Sequence, residues 1–200
     1  MRRVAKGNFG YIEYNRKFAA VRTVIALAIC LIIFFTGLII YKSNKSAFSI
    51  IAAIGCLPTG LSAVNLVMYL RAHPCSKKAY DIIEAHRNGL LIRYDLEMTS
   101  YDENYDIAAA TVLDKNVVCY TEDNTLDTVN CEKHIKNQIS QSGYSNYTVK
   151  VFKDINAFCS RLDQLEQIRV TKKIDPQAIE DAWVPGTVET CALVLLSISL

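Results

Sequence analysis

The sequence predicts a two-helix transmembrane hairpin followed by an α/β domain, with a mixed sheet of about five strands and helices on both faces. Three observations carry this. Two uncharged apolar runs stand near the start, Val24–Tyr41 over 18 residues and Ala47–Leu70 over 24. Beyond residue 78 the pattern changes to short alternating segments interleaved with amphipathic ones, as strands and helices of one layered domain require. Charge divides at the same place: residues 1–70 hold eight Lys/Arg against one acid, and residues 71–200 hold fourteen against nineteen.

A helix rises about 1.5 Å per residue, and about 20 apolar residues cross the hydrocarbon core. Both runs meet that length, the first by reaching back to about residue 20. A signal peptide would have an apolar region of only about 7–15 residues close to the N-terminus. Here the run is longer, starts later and is followed by a second. The expected divisions are a basic cytoplasmic N-terminus at 1–22, a membrane region at 23–71 with spans at about 20–41 and 47–70, a linker at 72–78, and a cytosolic domain at 79–200.

Six basic residues from Arg2 to Arg22 precede or begin the first run. Only Lys42 and Lys45 lie between the runs, while Arg71, Lys77 and Lys78 follow the second. Positive charge marks cytoplasmic flanks, so both termini are expected in the cytoplasm of a multi-pass inner-membrane protein. Small or polar residues recur at helical steps: Thr23, Ala26, Cys30 and Gly37 in the first span, and Gly55, Pro58, Thr59, Ser62 and Asn65 in the second. Such faces let two helices approach closely in lipid, and Pro58 removes one backbone hydrogen bond. The absence of charge inside either span favours a packed anchor over a transport pathway.

In the soluble part, Ser76 suits the cap of a helix through "KKAYDIIEAHRN", which Gly89 stops. Leu90 to Thr99 alternates, with Leu90, Ile92, Tyr94, Leu96 and Met98 on one face and Arg93, Asp95, Glu97 and Thr99 on the other. That pattern predicts a half-exposed strand with a solvated polar row. "YDIAAATVLDKNVVCYTEDN" follows as a hairpin, with strands near Ile107–Leu113 and Val117–Tyr120 and a turn at Asp114-Lys115-Asn116. Residues 126–142 suit a helix, with Cys131, Ile135 and Ile139 spaced by four, and Tyr147–Phe152 alternates as a strand. Asp154 caps an amphipathic helix with Ile155, Phe158, Leu162, Leu165 and Ile168 as its stripe. Asp175-Pro176 opens a short helix through Trp183. The last apolar run, "TCALVLLSISL", is too short to span and apolar on both sides, which predicts a central strand. The expected order is α-β-β-β-α-β-α-α-β.

Few residues point to chemistry. Seven cysteines, none in a C-x-x-C pair, read as reduced thiols rather than a disulfide framework or zinc site. His73, His86 and His134 have no metal-spaced partner. Cys131 and His134, three apart on one helix, read as exposed helix residues. No phosphate-binding glycine motif or nucleophile elbow occurs. The mildly acidic soluble part is a poor match to phosphate backbones, so no nucleic-acid partner is expected.

At the hairpin, the chain resembles restriction-endonuclease-like domains, and within them the nuclease-related domain, over Ala79 to Phe152. The shared features are an αβββαβ order and an acid opening the second strand in "YDIAAATV". The resemblance implies a metal-binding Asp106, a Glu-x-Lys on the next strand and a helical acid, here Glu84. In "VVCYTEDN" one register puts Tyr120 and Glu122 in the Glu and Lys places, and the other makes Glu122 the acid and Asn124 the lysine position. Neither supplies a lysine. The whole layout also resembles small uncharacterised bacterial membrane proteins with two N-terminal spans and a cytosolic tail. The expectation is a membrane-anchored cytosolic domain that binds a protein partner or self-assembles, with no cofactor and no resident metal. The alternative is a metal-dependent nuclease-like enzyme using Asp106, Glu122 and Glu84.

Overall fold

Residues 12–72 form one compact unit, and residues 1–11 together with 73–200 form a second. These come from a computed structural model that describes residues 3–42, 47–100 and 103–200. Arg2 and Lys45, counted above in the basic flanks, lie outside the described residues.

The first unit contains α1 (Tyr11–Tyr41) and α2 (Ala47–Arg71), two helices long and apolar enough to cross a membrane. Their contact is made by the predicted small and polar residues. Thr23 Oγ1 lies 2.8 Å from Ser62 Oγ, which also accepts from Arg22 Nε at 3.1 Å. Cys30 Sγ meets Thr59 Oγ1 at 3.6 Å. Gly55 permits this approach, because a Cβ there would stand 2.9 Å from the Cys30 sulfur. Arg16 closes the polar end by donating to the Tyr69 and Ala72 carbonyls at 3.0 and 2.8 Å. Pro58 and Asn65 do not join the packed face and are exposed.

The second unit is built on a mixed four-stranded sheet, β1 (Ile92–Thr99), β2 (Asn104–Leu113), β3 (Asn116–Tyr120) and β4 (Thr148–Phe152), in spatial order β1-β2-β3-β4. The first three strands form an antiparallel meander, and β4 runs parallel to β3. The parallel pair needs a crossover, supplied by α4 (Thr128–Gln141), which Asp127 caps. The β2–β3 turn has Asp114 and Lys115 both at positive φ, 42° and 63°, as a two-residue hairpin with primed-turn geometry demands. The remaining helices are α3 (Lys77–Ala85), α5 (Ile155–Lys172), α6 (Pro176–Asp181) and α7 (Cys191–Ile198). Helices cover both faces. One core joins Leu96, Met98, Ile107, Val117 and Cys119 to α4 and α7, and the other joins Tyr94, Ala109, Val118 and Tyr120 to α3 and α5.

Three expectations change here. The sheet has four strands, not about five, because the C-terminal run is the helix α7. Thr190 caps α7 by accepting from the Leu193 amide, and Cys191, Val194 and Leu195 bury along one helical face. Only Ser199 bridges to Met98 as a strand would. Next, the middle of the polar row of β1 is not solvated: Asp95 and Glu97 are 1% and 2% exposed, while Thr99 is exposed. Finally, β1 does not alternate throughout. Asp95 sits at φ 56°, and across it the buried side chains change faces, Ile92 and Tyr94 going to one core and Leu96 and Met98 to the other. The hairpin strands β2 and β3 are the two inner strands.

The outer edge of β1 is covered by the two ends of the chain. The Tyr94 amide donates to the Gly7 carbonyl at 2.9 Å, and the Leu200 amide donates to the Glu97 carbonyl at 2.7 Å. Lys6 Nζ ties the two ends together through the Ser199 carbonyl at 2.6 Å. Phe9 packs 4.2 Å from the Tyr80 ring, with Lys77 over both. This cover removes an unpaired strand edge, a common site of unwanted pairing. Gly7 is required twice over: its φ is +81°, and a Cβ would meet Leu196 Cδ2 at 2.6 Å. Gly7→Val is therefore expected to destabilise the second unit by about 1–3 kcal/mol, the usual cost of such backbone strain. Undocking of the N-terminal segment limits the loss. An unchanged thermal midpoint of the full-length protein in detergent would contradict this docking.

Candidate functional site

An acidic cleft of about 600 Å³ opens where β2 begins and β3 ends, lined by Asp106, Glu122, Asp123 and Thr125 on one side and by His73 and Pro74 on the other. Antiparallel pairing of β2 with β3 brings Asp106 near the residues after Tyr120, and Thr121 Oγ1 donates to the Asp106 carbonyl at 2.7 Å. Asp106 and Glu122, the two hairpin acids singled out by resemblance, thus line one cleft. Glu84 does not join them. It accepts from the Tyr94 hydroxyl at 2.8 Å and pairs with Arg87, beside Phe9 and Tyr80.

Both cleft acids are engaged by the segment that leaves α2. His73 Nδ1 lies 2.6 Å from Asp106 Oδ2, and the His73 amide donates to Oδ1 at 3.3 Å. Glu122 accepts from the Ser76 amide and the Ser76 hydroxyl, each at 2.7 Å. The same Ser76 oxygen accepts from the Ala79 amide at 3.1 Å, so Glu122 anchors the cap of α3. Asp95 Oδ1 takes the Cys75 amide at 2.8 Å. Three carboxylates therefore hold three of the four residues from His73 to Ser76. Asp123 is occupied locally by the Thr125 amide and hydroxyl, which hold its carboxyl below the ordinary value.

Behind Asp106 lies Glu97, its cross-strand partner in the β1–β2 register. Glu97 Oε2 is buried and finds no hydrogen-bond partner among the described residues. Burial, reinforced by the Asp106 charge and opposed by His73, pushes its carboxyl up to about 7. A protonated acid in that position can donate a hydrogen bond where a carboxylate would face a second negative charge.

The carboxylates of Asp106 and Glu122 are taken by linker donors, no lysine lines the cleft, and no group of three or more metal-ligating side chains is assembled among the described residues. Cys131, expected to be exposed, is fully buried in the α4–α7 core, and burial pushes its thiol up to about 12. His86 instead meets Asp163 across α3 and α5. Sequence reasoning missed Glu97 and the linker donors His73, Cys75 and Ser76. Spacing carries no signal for them, because their partners lie 20 to 46 residues away. Comparison with family models, curated proteins and solved structures finds no match to this chain.

Proposed function

We propose that the protein is a membrane-anchored cytosolic domain whose hairpin acids serve structure, and that it acts by binding a protein partner or by self-assembly. The observation that carries this reading is the engagement of both oxygens of Asp106 and of Glu122 by residues His73 and Ser76. A catalytic pair would keep oxygens open to a metal or water. Here the acids fasten the segment that follows the second apolar helix to the domain it carries.

Both termini belong on the cytoplasmic side in this reading. Support comes from the basic flanks and from the docking of residues 6–9, which precede the first apolar helix, onto the unit that follows the second. The competing reading is a metal-dependent nuclease-like enzyme, favoured by the presence of Asp106 and Glu122 in one cleft with Glu97 behind.

One assay separates them. Full-length protein in detergent is incubated with DNA, RNA and nucleotides in the presence of Mg²⁺ or Mn²⁺. The expected result is no hydrolysis above that of Asp106→Ala. Metal-dependent turnover that Asp106→Ala abolishes would overturn the structural role and establish the enzyme. A photo-crosslinker at the exposed Val129 in cells then identifies the neighbour, as a second copy or another protein.

A further inference from the structure

The contact between the two apolar helices includes one arginine. Arg22 of α1 donates from Nε to Ser62 Oγ of α2 at 3.1 Å, and the same oxygen meets Thr23 Oγ1 at 2.8 Å. Ser62 is 7% exposed, so its hydroxyl is a fixed post. A long cationic side chain at a membrane edge ordinarily snorkels toward water. Here the guanidinium is drawn sideways onto the second helix.

The rest of that guanidinium is free. Arg22 is exposed, and neither terminal nitrogen has an acceptor among the described residues. Glu13, the one acid between residues 12 and 72, stands about 13 Å away along α1. With Nε committed to Ser62, the two terminal nitrogens form the end of a planar fork. Such a fork fits two oxygens of one phosphate, a charge-assisted pair roughly twice as strong as a neutral hydrogen bond.

Helix length sets the depth of this fork. Val24 to Tyr41 carries no charge over 18 residues, about 27 Å of α1. On α2, Ala47 to Ser62 is likewise uncharged and covers about 24 Å. A hydrocarbon core of roughly 30 Å, starting from the turn between the helices, therefore reaches the Arg22–Ser62 contact on both. In the membrane-anchored reading, on which this inference rests, the fork stands where acyl chains meet phosphates. The rest of α2 extends past that level and carries the exposed Asn65 and then Tyr69, polar groups suited to a headgroup layer. Lys17 lies about 7 Å further out on α1, and Arg71 ends α2 on the same side. Both are exposed and have no acidic partner among the described residues. Arg16 is already committed to the Tyr69 and Ala72 carbonyls.

We propose that Arg22, held by Ser62, binds the phosphate of an anionic phospholipid in the cytoplasmic leaflet, with Lys17 and Arg71 supplying the surplus charge that selects an anionic headgroup over a zwitterionic one. Basic residues beside a membrane span attract anionic lipids. The fixed fork adds a defined seat for one of them.

The test uses full-length protein in micelles doped with phosphatidylglycerol, with phosphatidylcholine, or with glycerol 3-phosphate, which has the anion without acyl chains. Native mass spectrometry reads the bound fraction as a function of concentration. Phosphatidylglycerol is expected to bind at least about tenfold more tightly than phosphatidylcholine, and glycerol 3-phosphate not to bind over the same range. Arg22→Gln is expected to bring the two lipids within about twofold of each other. Arg22→Lys keeps the charge without the fork and should fall between. Lys42→Gln, an equal loss of charge at the other end of α1, should leave the preference intact. Equal binding of the two lipids by the wild-type protein overturns the site without recourse to any variant, and equal binding of glycerol 3-phosphate overturns its assignment to a lipid. Cell membranes are washed with alkaline carbonate in parallel. Release of the chain into the wash overturns the anchor and this site with it, whereas retention together with equal lipid binding overturns the site alone.

Discussion

Glu97→Gln is expected to make the protein more stable than wild type at about pH 8 and to flatten its stability between about pH 5 and 7. The β1–β2 register sets Glu97 opposite Asp106 in a place with almost no solvent. Ionising both would place two negative charges side by side, offset only in part by His73. The folded protein therefore keeps a proton on Glu97 up to about 7, whereas the free side chain releases it near 4.5. In that window the folded state holds more protons than the unfolded one, so stability falls as pH rises and levels off above about 7. At about 1.4 kcal/mol per unit, the loss is on the order of 3 kcal/mol. Glutamine keeps the shape and offers an N–H toward Asp106 at every pH, so the slope attributable to this site disappears. Denaturant midpoints across the range measure it. A variant with the same pH slope as wild type would show that Glu97 is already ionised at neutral pH.

The slope also bears on why part of the site stayed hidden in the sequence. In "LLIRYDLEMT" the acids Asp95 and Glu97 alternate with apolar residues, and alternation normally means that the polar row meets water. What covers them is remote in sequence. Cys75 comes from the linker, and Leu200, at the last position of the chain, caps the Glu97 carbonyl. No local pattern encodes that cover, nor the docking of Gly7 on Tyr94. The face change at Asp95 was equally invisible, because a non-glycine residue at positive φ leaves no mark in a periodicity. The C-terminal run failed for another reason. Eight residues, all but Ser197 apolar, carry neither period clearly, and Thr190 at the cap was the one local sign of a helix. Elements fixed by local physics read correctly: the Ser76, Asp154 and Asp175 caps, the turn at Asp114-Lys115 and the paired small residues of the two apolar helices. Asp106 and Glu122 share a cleft as the hairpin implied, yet the partners that determine their role came from outside it.

Phe158→Ala is expected to cost about 3–5 kcal/mol, the usual range for removing a buried ring and leaving a cavity. Phe158 lies on the α5 stripe that the sequence marks, between Ile155 and Leu162, and is completely buried. Its ring centroid stands 5.5 Å from that of Tyr120 on β3 and 6.4 Å from that of Phe152 on β4. The side chain thus fills the space where α5 crosses the parallel strand pair, and the surrounding backbone is held by β3–β4 pairing that cannot easily collapse into the gap. A domain of this size is stable by about 5–15 kcal/mol, so the substitution removes a large share of the margin. Phe158→Leu keeps most of the volume and is expected to cost less than about 1.5 kcal/mol. Val170→Ala, on the same helix but exposed, should stay within about 0.5 kcal/mol. The ordering of the three decides the matter in denaturant titrations of the full-length protein. If Phe158→Ala falls no further than Val170→Ala, then α5 is not packed on the sheet through this residue. The second core would then have to be held by α3 and the Phe9–Tyr80–Tyr94 cluster instead.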